Sequence, residues 1–132
     1  MEPTPTFSII VPTFGRPAFL KEALESIRVQ TNTDFECIVV DDASPEPVVL
    51  PVDDPRFRLV RHAANRGPAA ARNTGLAAAC GRVVGFLDDD DLFGPHRLED
   101  ALGPLEHSPI TVCAAWRVGS EHVNRPTIAG HT

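Results

Sequence analysis

Four consecutive carboxylates, Asp88 to Asp91, close a short apolar run, Val83-Val84-Gly85-Phe86-Leu87. Two unit charges about 4 Å apart repel by roughly 4 kcal/mol at an effective dielectric near 20, so a cluster this dense calls for a cation. A divalent metal with oxygen ligands is the natural one. The plainer reading is a solvated acidic turn that caps the following helix, because Asp favours helix N-termini. A second pair, Asp41-Asp42, ends another β-branched run, and Ser44-Pro45 behind it could make a simple Asx-type turn. Arg16 and Arg72 are the cations of interest: each could hold an anion, sit as a surface charge or pair with an acidic neighbour. His62, His96, His107, His122 and His131 share no ligand-like spacing and read as structural or solvated, with His96 nearest the acidic loop.

These groups need a scaffold that brings them together. Phe7 to Val11 reads as a first buried strand stopped by Pro12, and Thr13 to Arg16 as its loop. Pro17 suits a first helical position, and Leu20, Ala23, Leu24 and Ile27 follow at helical spacing to about Gln30. Phe35 to Val40 reads as a second strand ending at Asp41-Asp42. Ala43 to Pro55, with Pro45, Pro47, Pro51 and Pro55, reads as a loop. A third strand, Phe57 to Val60, precedes a helix opened by Gly67-Pro68, running from Ala69 to Cys80 and closed by Gly81. Val83 to Leu87 reads as a fourth, buried strand. A third helix starts at Pro95 and should kink or end at Gly103-Pro104, and Ile110 to Val118 reads as a last strand. Strands alternating with helices imply right-handed crossovers and a mostly parallel sheet. The loops after strands one, two and four then open on one edge, where α/β sheets bind ligands.

The totals narrow the partners. A chain of 132 residues is the size of one domain, with an ordered core expected over residues 6–118 and a polar tail over 119–132. The net charge of −6 disfavours nucleic acid as a partner. An anionic ligand would need a metal or a few well-placed arginines. Cys37, Cys80 and Cys113 are widely spaced and lie in apolar stretches, which reads as buried reduced thiols. Trp116 reads as a core residue. No signal peptide or spanning run is visible, so the expected location is cytoplasmic.

Four ordered motifs carry a resemblance: Ser8-Ile9-Ile10-Val11-Pro12-Thr13-Phe14, Asp34 to Ser44, Asn65 to Gly75, and Phe86 to Asp91. Together they resemble the family-two glycosyltransferases, which have the Rossmann-like GT-A fold, a nucleotide-diphospho-sugar-binding α/β domain. The resemblance implies that Pro12, Thr13 and Arg16 lie along the nucleoside. It implies that Asp42, with Asp41 beside it, accepts a hydrogen bond from a uracil-type base, and that Arg72 meets the base or a phosphate. Asp88 and Asp90 match the family's Asp-x-Asp motif, with Asp90 as ligand to Mn²⁺ or Mg²⁺, Asp88 and Asp89 toward the ribose and metal-bound water, and Asp91 trailing. The implied donor is a UDP-sugar, and the implied acceptor a carbohydrate or lipid-linked hydroxyl. A lipid-linked acceptor would set the protein at the inner face of a membrane.

The resemblance thins toward the end of the sequence. Past Val118 the only carboxylate side chain is Glu121, in no motif, so no residue can be named as the base that deprotonates an acceptor. The expectation is an inverting, metal-dependent glycosyltransferase or its donor-binding part, completed by a missing C-terminal segment or a partner subunit. Its alternative is a nucleotide-sugar-binding module without turnover. A nucleotidyltransferase should carry a glycine-rich loop after the first strand, where this chain has only Gly15. A phosphoacceptor receiver domain needs a late lysine, and Lys21 is the only lysine.

Overall fold

The computed structural model describes residues 4–105 and 116–117. The elements alternate as β1 (Phe7–Thr13), α1 (Pro17–Arg28), β2 (Phe35–Asp41), β3 (Phe57–Arg61), α2 (Pro68–Ala78), β4 (Val83–Phe86), β5 (Asp91–Leu92), α3 (Arg97–Leu105) and β6 (Trp116–Arg117). The first four strands form one parallel sheet in the order β3-β2-β1-β4. β5 and β6 pair antiparallel as a separate ribbon, Asp91 opposite Arg117.

Strand alternation divides the core into two layers. On one face Ile9, Val11, Cys37 and Val39 meet Leu20, Leu24 and Ile27 of α1 and Leu98 and Ala101 of α3. On the other face Ile10, Ile38 and Val40 meet Ala71 of α2. The alanine-rich α2 lies close because Gly75 has no side chain: a Cβ there would stand 2.4 Å from Ile10 Cγ2. Gly81 likewise lets the chain pass over the Phe7–Ser8 backbone.

Several expectations need correction. β4 is half-buried and, among the described residues, ends the sheet, and Phe86 is exposed. An apolar run alone does not distinguish an edge strand from a central one. α2 ends at Ala78, and Cys80 is exposed while Cys37 is buried. α3 begins at Arg97, after a turn in which Pro95 O accepts from Thr31 N–H at 2.9 Å, and it includes Gly103 and Pro104. The strand expected over 110–118, the Trp116 side chain, Cys113, His107, His122, His131, Glu121 and the tail lie outside the residues and side chains described, apart from the short β6. No helix among the described residues is long and apolar enough to cross a membrane.

Candidate functional site

The carboxyl ends of β1, β2 and β4 share one rim because the strands are parallel. A cavity of about 510 Å³ opens there, within the range of small-molecule sites. Pro12, Thr13, Arg16, Asp42, Arg72, Asp88, Asp89 and Asp90 all line it, although they come from four segments of the sequence. Asn65, Gly67 and Pro68 complete the wall at the start of α2.

Asp41 is the exception. It is fully buried and faces away from the cavity. Its oxygens accept from Ser44 N–H at 2.9 Å and Val48 N–H at 3.0 Å, and it pairs with Arg61. Burial pushes its carboxyl up, but Ser44, Val48 and Arg61 outweigh that and hold it below the usual range. Successive residues at a strand end point in opposite directions, so Asp42 reaches the cavity and Asp41 organises the loop behind it. That loop is tied to the first one through Ser44 Oγ, which accepts from Gly15 N–H at 2.9 Å.

Asp42 is also held below the ordinary range. Burial opposes its charge, while Arg66 N–H, His62 and Gly67 N–H favour it. The two backbone donors lie at 2.8 Å each, and Gly67 reaches that position with φ +94°, a conformation suited to glycine. From the sequence His62 reads as structural or solvated, like the other histidines. It is buried and bound to Asp42, and its place one residue past β3, on the same rim, was the available signal.

The acidic loop is a tight turn in which Asp91 N–H donates to Asp88 O at 3.0 Å. The turn separates the four carboxylates into two roles. Asp88, Asp90 and Asp91 each present an oxygen, all within 4.8 Å of one another. Three hard oxygen donors at that separation suit Mg²⁺ or Mn²⁺. Asp89 turns inward instead: its Oδ2 accepts from Thr13 Oγ1 at 2.8 Å, and Oδ1 lies 3.3 Å from Arg16 Nη2. Burial pushes Asp89 above the usual carboxylate range, and Thr13 and Arg16 only partly offset this. Asp91, expected only to trail the motif, joins the group through the i to i+3 turn. Arginines, too, relieve the acidic repulsion: Arg16 Nη1 lies 3.3 Å from Asp90, and Arg72 Nη2 lies 3.1 Å from Asp88. His96 is elsewhere, with Nδ1 3.2 Å from Thr31 Oγ1.

A family model described as "Glycosyl transferase family 2" matches residues 8–131. The chain belongs to glycosyl transferase family 2. Among curated relatives, an uncharacterized glycosyltransferase of Haemophilus influenzae is 41% identical over 108 residues, covering 77% of this chain and 35% of the relative. The succinoglycan biosynthesis protein ExoO of Rhizobium meliloti is 37% identical over 101 residues, covering 74% and 29%. This chain therefore spans about a third of the length of these relatives. Among solved structures, S. aureus TarS 1-349 in complex with UDP-GlcNAc superposes with a TM-score of 0.71 at 32% identity, over 77% of this chain and 31% of that one. The mannosyltransferase PcManGT of Pyrobaculum calidifontis, in complex with GDP-Man and Mn²⁺, gives 0.63 at 30% identity, over 74% and 31%. These neighbours share the GT-A architecture, and each of the four segments that carry the resemblance contributes residues to the rim just described.

Proposed function

We propose that this chain is the donor-binding part of a metal-dependent, inverting glycosyltransferase that takes a UDP-sugar. The observation that carries the reading is the convergence of Asp42, Arg16, Arg72, Asp88 and Asp90 on one cavity, with an Asp91 oxygen within 4.8 Å of those of Asp88 and Asp90. Asp42 accepts a hydrogen bond from the base, and Pro12 and Thr13 lie along the nucleoside. Asp88, Asp90 and Asp91 would hold Mn²⁺ or Mg²⁺, with Asp89 behind them fixing Thr13 and Arg16. When bound, the ion supplies Lewis-acid stabilisation to a leaving diphosphate. Arg16 and Arg72 are half-exposed and can exchange their carboxylate partners for phosphate oxygens. The acceptor hydroxyl of a carbohydrate or lipid-linked substrate attacks the anomeric carbon from the face opposite the diphosphate. Its proton passes to a base contributed by further chain or a partner subunit. A lipid-linked acceptor places the reaction at the cytoplasmic face of a membrane. TarS in complex with UDP-GlcNAc and PcManGT in complex with GDP-Man and Mn²⁺ support this reading by likeness.

Calorimetric titration of UDP- and GDP-sugars with and without Mn²⁺ tests it. Binding of a UDP-sugar that depends on the metal is expected, and Asp90→Ala should abolish it without loss of the melting transition. Undiminished binding in Asp90→Ala would remove Asp90 from the site. Tight metal-dependent binding with no transfer to any acceptor by the full-length protein would favour a binding module instead.

A further inference from the structure

His62 links the loop after β2 to α2 through side-chain hydrogen bonds, beside the apolar packing of Ile38 and Val40 on Ala71. Its Nδ1 lies 2.8 Å from Asp42 Oδ1, and its Nε2 lies 2.7 Å from Thr74 Oγ1 on α2. An ionised carboxylate only accepts hydrogen bonds, so the ring hydrogen facing Asp42 sits on Nδ1. At the ring's other edge Nε2 is paired with the Thr74 hydroxyl, so both nitrogens are held and the ring orientation is fixed. Thr74 stands two residues after Arg72 on the same helix, so the chain of contacts ties the β2 loop to the arginine-bearing helix.

The hydrogen bonds around Asp42 decide what it offers a ligand. A carboxylate has about four acceptor positions. On Oδ1, His62 and Arg66 N–H take two; on Oδ2, Gly67 N–H takes one. One position remains, on Oδ2 of a residue that lines the cavity. We infer that His62, locked by Thr74, is a positioning residue that holds Asp42 with a single acceptor site toward the donor's base. This rests on the nucleotide-sugar reading above. A ring N–H, as in uracil, satisfies that site. A cytosine ring nitrogen presents a lone pair to it, leaving two acceptors face to face, and is rejected on that account.

The test titrates the 132-residue chain, in Mn²⁺, with UDP, CDP and inorganic pyrophosphate. His62→Ala should lose about tenfold in UDP affinity, the scale of a hydrogen bond to a charged group. Its preference for UDP over CDP should narrow while pyrophosphate binding stays unchanged. His62→Asn places an amide donor where Nδ1 stands and should restore both affinity and preference. Thr74→Val, which removes the hydroxyl that holds Nε2, should lose part of the preference, and it carries the test with His62→Asn if His62→Ala melts early. Equal UDP affinity and preference in His62→Ala, or failure of Asn to restore them, would overturn the inference while leaving the donor reading in place. An unaltered chain that binds pyrophosphate but not UDP overturns both.

Discussion

Asp89 and Asp90 are adjacent, yet burial gives them opposite characters. The Asp90 side chain is about a third exposed, whereas that of Asp89 is 3% exposed and faces Thr13 and Arg16. Desolvation raises the Asp89 carboxyl above its ordinary value, and this has a signed consequence for stability. A carboxylate whose folded value exceeds its unfolded one, about 3.9 for Asp, favours the fold below that unfolded value. That contribution is lost as pH rises from there through the raised folded value. Asp89→Asn removes the titration while keeping an oxygen for Thr13. Its melting temperature relative to the unaltered chain should therefore climb between about pH 3 and pH 7. The lost ion pair with a half-exposed Arg16 opposes this by no more than about 1 kcal/mol. A thermal melt series across that range checks the slope, and a relative melting temperature that falls toward neutral pH would overturn the assignment of Asp89 as a net burial cost. Asp41 and Asp42 run the other way. Both are held below the usual range, so what they contribute is present above about pH 4 and lost as pH falls through their folded values.

At the scale of elements, α2 packs closely on β1. A Cβ on Gly75 would stand 2.4 Å from Ile10 Cγ2 and 3.0 Å from Cγ1, so α2 would have to lift away. Gly75→Ala should destabilise by about 1–3 kcal/mol, the usual cost of overpacking, despite alanine's better helix propensity. Chemical denaturation measures this. In an Ile10→Ala background the added loss should shrink, because the atoms that clash are gone. Strict additivity would show that the two do not meet. The same packing explains what could be read from the sequence. Ile9, Val11, Cys37 and Val39 against Ile10, Ile38 and Val40 form the two faces of period-two strands, and Leu20, Leu24 and Ile27 form a helical stripe. Those patterns are local. The place of β4 at the end of the sheet among the described residues, and the two-residue β5, depend on which segments lie alongside, and two residues leave no periodicity to read. The site divides in the same manner. Asp42, Asp88 and Asp90 stand just past strand ends and Arg72 lies in the first half of α2, so they could be grouped by counting elements. The burial of Asp41, the inward turn of Asp89 and the recruitment of Asp91 and His62 follow from side-chain direction within a turn, which residue type does not encode.

At the scale of the whole molecule, an acidic protein with a net charge of −6 is proposed to hold a dianionic diphosphate. In the structure the two rim arginines are engaged with carboxylates of the acidic loop. A diphosphate arriving alone would meet the loop's negative field with its cationic partners already shared. A divalent ion arriving alone would meet three carboxylates but compete with those same arginines. Under the proposed reading each ligand would prepare the site for the other: Asp88 and Asp90, once holding an ion, would release Arg16 and Arg72, and the freed guanidinium groups would be available to phosphate oxygens. Such coupling must be reciprocal in affinity. Thermal unfolding should accordingly show a larger rise with Mn²⁺ and UDP together than the sum of the rises with each alone. At 100 times the dissociation constant a ligand adds about 2.7 kcal/mol, on the order of 10 °C for a domain of this size. UDP without metal should shift the transition little, and 0.5 M salt should weaken what shift there is, because the rim charges are exposed to screening. Shifts that simply add would mean that the acidic loop and the nucleotide cavity work as separate sites, and the arginine exchange would have to be abandoned.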